Sequence, residues 1–144
     1  MTHQEQITKV TVLSFNDGQR FQYTAPAYCT LFEEGVKLRY SEPDMQGMQT
    51  TLLYQDHTLS LSRNDGTRLT FKQACTTAGV YCLPYGTLDA AVHTEALSYI
   101  LKEEKGVLSL CYKLSMGGQD FSCKMKISFE NPSRKRMEER GVRS

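Results

Sequence analysis

Arg63 is the residue whose type and position most invite chemistry. It follows Leu59 and Leu61 at two-residue spacing and precedes Asn64-Asp65-Gly66, so it is expected to share the inward face of a strand that ends in a turn. A guanidinium held there presents paired donors suited to a carboxylate or phosphate. Its plainer role is that of a strand-end arginine reaching solvent or a structural carboxylate, because an unpaired buried cation is costly. Tyr23, Tyr40, Tyr85, Thr94 and Tyr112 each fall on an expected inward face and combine an apolar body with a hydroxyl. With Arg63 they make up the candidate ligand-binding set. Taken singly, each also reads as a core residue with a satisfied hydroxyl.

The other reactive side chains form no such set. His3, His57 and His93 fall in a ragged terminus, a turn and an outward strand position, so no metal site is expected. The five cysteines are odd in number and contain no C-x-x-C pair, which argues against a disulfide framework or a zinc site. Cys82 and Cys111 have no patterned base and read as small hydrophobes. The chain carries no glycine-rich phosphate loop, nucleophile elbow or supported carboxylate pair. The reading leans away from an enzyme and calls for no cofactor.

Charge places few further constraints. Lys and Arg number 17 and Asp and Glu 16, so no global imbalance points to nucleic acid. Residues 131–144 hold five basic side chains, Arg134, Lys135, Arg136, Arg140 and Arg143, against Glu138 and Glu139. Without interleaved aromatics this tail reads as a solvated, disordered extension rather than an RNA-binding arm. The chain's 144 residues suit one domain, expected over 1–130 with the tail at 131–144. With no apolar leader and no membrane-length apolar run, a reduced, cytoplasmic protein is expected.

The elements that must position these residues are strands. Runs at 6–15, 20–32, 36–41, 50–55, 58–63, 67–72, 80–85 and 119–129 show period-2 patterning, with a bulge expected near 10–13 and an edge, bend or bulge at Pro26. The stretch 85–114 is ambiguous in its first half: Leu88, Val92, Ala96 and Ile100 suit a helix face, whereas Leu88, Ala90, Val92 and Thr94 suit a strand face. Residues 103–106 read as a hairpin connector with Gly106 in the left-handed position, followed by Leu108, Leu110, Tyr112 and Leu114 in strand phase. Nine or ten strands joined by tight turns make an antiparallel meander, and closure into an up-and-down barrel of about 8–10 strands removes the exposed edges.

Several short motifs resemble the YwiB-like family, small bacterial proteins of unknown function with a calycin-like (lipocalin-like) β-barrel. They are Leu59-x-Leu61-x-Arg63-Asn64-Asp65-Gly66, Tyr85-Gly86-x-Leu88 with Thr94 downstream, Glu103-Glu104-Lys105-Gly106 leading to Leu110-x-Tyr112, and Tyr40 at the end of Val36-Lys37-Leu38-Arg39-Tyr40. The resemblance implies a strand over 88–101. It departs from true lipocalins, whose Gly-x-Trp signature is missing from this Trp-free chain. The functional expectation is a non-catalytic barrel that binds a small amphipathic or anionic ligand in its interior. The alternative is a packed barrel that meets protein or RNA through its outer face and tail.

Overall fold

The computed structural model describes residues 4–133. Ten strands follow one another along the chain: β1 (Glu5–Asn16), β2 (Gln19–Phe32), β3 (Gly35–Ser41), β4 (Gln49–Gln55), β5 (Thr58–Arg63), β6 (Arg68–Lys72), β7 (Thr76–Leu83), β8 (Gly86–Leu101), β9 (Lys105–Met116) and β10 (Gln119–Glu130). Each pairs antiparallel with its sequence neighbours, and β1 pairs with β10, so the sheet closes as an up-and-down, calycin-like barrel. Two-residue turns make this possible. Asp17 and Gly18 have φ of 49° and 84°, and Asp56 and His57 have φ of 53° and 58°, the left-handed pairs whose twist matches that of flanking strands.

The loops after the odd-numbered strands gather at one end, called here the mouth, and those after the even-numbered strands at the other, the base. The two ends are filled differently. Leu59, Phe71, Leu108, Ile127 and Phe129, each at most 2% exposed, pack the base and waist. Side chains buried to this degree contribute about 1.5–3 kcal/mol each. Toward the mouth the inward positions change character: on β1 they run Thr8, Val10, Val12, Ser14 and Asn16, and the last two are too short and polar to fill a core.

Three expectations need correction. The pairing of β1 with β2 runs without a slip from Glu5↔Thr30 to Asn16↔Gln19, so no bulge occurs at 10–13. Leu13 breaks the apparent alternation because it lies on the outer face beside Phe15. Gly106 is not in the turn. It sits in β9 opposite Leu101 and Phe129, and a β-carbon there would fall 2.2 Å from Cζ of Phe129. The glycine makes room for that ring. Tyr85 lies beyond the end of β7 in the connection to β8 and is 82% exposed, because strand parity no longer fixes direction in a turn. Pro26, by contrast, sits where an edge was expected: the β2–β3 ladder begins only at Ala27↔Tyr40.

Strand β8 explains the ambiguity of 85–114. A bulge between Thr94 and Ala96 shifts its register against β9 and leaves Glu95 as the extra residue. Ala90, Val92 and Thr94 point inward before it, and Leu97 and Tyr99 after it. Even positions give way to odd ones, so a single strand period cannot describe the segment. One seam of the barrel is thin: β6 and β7 share the single bridge Arg68↔Val80. Side chains reinforce it, with Thr67 Oγ1 accepting the Cys82 N–H at 3.0 Å and the Thr77 hydroxyl donating to the Thr70 carbonyl.

Candidate functional site

The mouth half of the barrel encloses a cavity of about 520 Å³. Its wall is built from inward positions of β1, β2, β5, β6, β7, β9 and β10, with Glu42 added from the β3–β4 loop. Arg63 enters as the last residue of β5, in phase with buried Leu59 and Leu61. Its backbone N–H donates to the Thr67 carbonyl at 3.0 Å, closing the turn that fixes its direction.

The charge of Arg63 is answered inside the barrel. Nη2 donates to Glu42 Oε1 at 3.2 Å, and the two side chains are only 17% and 9% exposed. The same carboxylate oxygen accepts from the Thr50 hydroxyl at 3.0 Å and from the Tyr23 hydroxyl at 3.4 Å. The Tyr23 and Tyr40 hydroxyls lie 3.0 Å apart, and Arg63 Nη1 donates to Tyr81 at 3.5 Å. Nε of Arg63 is buried with no partner among the described residues. Burial pulls the guanidinium pKa down, but Glu42 and Tyr81 outweigh it and hold the pKa above its usual value. Burial likewise pushes up the phenols of Tyr23 and Tyr112, and raises Tyr40 to about 12. At neutral pH these hydroxyls are uncharged donors and acceptors.

The structure separates the six candidate residues. Arg63, Tyr23 and Tyr112 line the cavity. Tyr40 is 5% exposed, lies behind Tyr23 and touches it through the paired hydroxyls. Thr94 is fully buried beside the β8 bulge, away from the cavity wall, and its hydroxyl has no partner among the described residues. Tyr85 points to solvent and takes no part. Glu42, Thr50, Tyr81 and Asp17 were missed from sequence. Glu42 carried a usable signal, since it continues the inward series Val36, Leu38, Tyr40 by one more step of two.

A second concavity of about 500 Å³ lies on the outer face across β1, β10, β9 and β8. Leu13, Phe15, Ala96 and Cys111 give it an apolar floor, with Lys124 and Lys126 alongside. Ala96 reaches that face because the Glu95 bulge turns it outward. The 131–144 tail, named with this face in the interaction reading, lies outside the described residues beyond Ser133.

Comparison with known proteins gives a consistent picture of the fold. A family model described as "Domain of unknown function (DUF1934)" matches residues 6–128. No curated protein matches the chain. Among solved structures, the crystal structure of the ywiB protein from Bacillus subtilis superposes with a TM-score of 0.76 at 22% identity, covering 88% of this chain and 92% of that one. That likeness establishes a shared barrel. It also bears out the resemblance carried by the Leu59 to Gly66 motif and its companions.

Proposed function

The chain belongs to the DUF1934 family of domains of unknown function, and we propose that its barrel binds a small amphipathic ligand in the mouth half of its interior. One observation carries the reading. The base is packed solid, whereas the mouth holds a cavity of about 520 Å³ in which Leu61, Leu69 and Leu114 face a polar cluster of Arg63, Glu42, Tyr23 and Tyr81. A cavity of this size that sets apolar side chains against convergent polar groups suits a small amphipathic molecule. An anion is the weaker form of the ligand, because Glu42 already answers the guanidinium at 3.2 Å.

The test uses a neutral solvatochromic dye such as Nile red. Wild-type protein is expected to enhance its emission, and Leu114→Trp, which pushes an indole into the cavity and narrows it, is expected to weaken the effect severalfold while the circular dichroism spectrum is kept. Enhancement unchanged in the narrowed cavity refutes the reading. A second reading, an interaction module acting through the outer face, draws support from the apolar groove around Leu13, Phe15 and Cys111. Dye binding lost on Leu13→Lys rather than on Leu114→Trp would favour it.

A further inference from the structure

The ionic character of the cavity can be taken further. Among the described residues three charged side chains line it, Arg63, Glu42 and Asp17. Arg63 and Glu42 form a pair and cancel. Asp17, on the β1–β2 turn at the mouth, makes no ion pair among the described residues. Its side chain is fixed in place, with Oδ1 accepting the Ser122 N–H at 2.9 Å while its own N–H donates to the Ser122 carbonyl at 2.9 Å. These two bonds tie Asp17 to β10 beside Phe121, and Phe21, 47% exposed, lies on β2, the other strand flanking β1. Among the described residues no lysine and no second arginine lines the cavity, and Lys113 and Lys124, with Glu95, border Asp17 on the outer face instead. The cavity side of the entrance therefore presents one unpaired carboxylate and two aromatic rings beside apolar walls.

We propose that the ligand of this cavity is an amphipathic cation, an alkyl- or arylammonium whose charged head rests between Asp17 and the rings of Phe21 and Phe121 while its apolar tail lies against Leu61, Leu69 and Leu114. This rests on the interior-binding reading above and assigns its chemical class. Ring faces attract ammonium groups, and most strongly those that shed water easily, such as quaternary ones. An anion of the same shape meets Asp17 at the entrance and finds the guanidinium already engaged by Glu42.

Isothermal titration calorimetry with three probes of one chain length, octyltrimethylammonium, octyl glucoside and octanoate, tests it. The ammonium is expected to bind most tightly and octanoate most weakly. Asp17→Asn is expected to lower the ammonium affinity about fivefold, the attraction that one well-solvated carboxylate exerts on a unit charge across water. Asn tolerates the φ of 49° at this position and keeps an oxygen for the Ser122 N–H, so the turn persists. Octanoate binding as tightly as the ammonium, with both weakened in Leu114→Trp, overturns the cation assignment and leaves the interior-binding reading intact. Ammonium affinity unchanged in Leu114→Trp places the site outside the barrel and overturns both. Absence of binding by all three probes overturns both as well.

Discussion

Replacing Glu42 by Gln tests the electrostatics of the mouth most directly. Glutamine keeps the shape and an oxygen for the Thr50 and Tyr23 hydroxyls, so the change removes little besides charge. With charge centres about 4 Å apart and an effective dielectric constant near 20, the lost attraction is about 4 kcal/mol. Water in the cavity recovers part of this, because the Arg63 side chain is 17% exposed. Its Nε, buried and unpartnered, gains nothing from that water. A net destabilisation of about 2–3 kcal/mol is therefore expected, at the lower edge of what orphaning a buried charge costs. Arg63→Met acts on the other partner, and there Glu42 keeps two hydroxyl donors, so a loss of about 1–2 kcal/mol is expected. The double substitution removes both charges and should fall within about 1 kcal/mol of wild type. Equilibrium urea denaturation followed by far-ultraviolet circular dichroism measures all four proteins. A loss below about 0.5 kcal/mol for Glu42→Gln, or a double variant no better than the sum of the singles, refutes the account.

Two further predictions concern the base and the pH range. Gly106→Ala drives a β-carbon against the ring of buried Phe129, where the nearest atom lies at 2.2 Å. The overpacking cost of about 1–3 kcal/mol exceeds the gain of about 0.5–1 kcal/mol from replacing glycine. The urea midpoint should fall, and Phe129→Leu in the same chain should restore part of it. Alkaline pH should also unfold the barrel. Burial raises Cys29 from 9.0 to about 12, and Tyr40 and Tyr99 from 10.0 to about 12. Between those limits the unfolded chain loses protons that the folded chain keeps. Stability is thus whole below about pH 9 and declines as pH rises toward 12. A thermal midpoint unchanged between pH 8 and 11 would contradict this.

Much of the barrel was legible because strand phase is a local property. Phe129, Ile127 and Cys123 on β10 alternate with less buried neighbours, and the turn at Asp17 and Gly18 announces itself by residue type. Tyr85 misled through its own turn, whereas elsewhere a partner on another strand was responsible. The glycine at 106 is required by a ring 23 positions later, not by the adjacent turn. The bulge at Glu95 turns one strand into two half-strands of opposite parity, so that Ala96 and Ile100, which continue the spacing of Leu88 and Val92, face outward and share no face with Val92. The mouth shows the same division. Arg63 was readable from its own strand, but the carboxylate that neutralises it comes from 21 residues earlier, across two ladders, and Tyr81 reaches it from 18 residues later. Pairing, and with it the sign of the cavity, is a property of closure rather than of any one segment.

The thin β6–β7 seam gives the barrel a clasp. Mechanically the molecule is a curled ribbon whose two margins meet at one backbone bridge, Arg68↔Val80, and the Thr67 and Thr77 hydroxyls act as catches. When such a ribbon breathes, opening concentrates at the clasp, and the margin it bares on one side is only the five residues of β6. The contact from Arg63 on β5 to Tyr81 on β7 spans this gap from inside the cavity. A guest lodged against both side chains braces the clasp, so that filling the cavity and latching the ribbon become one event.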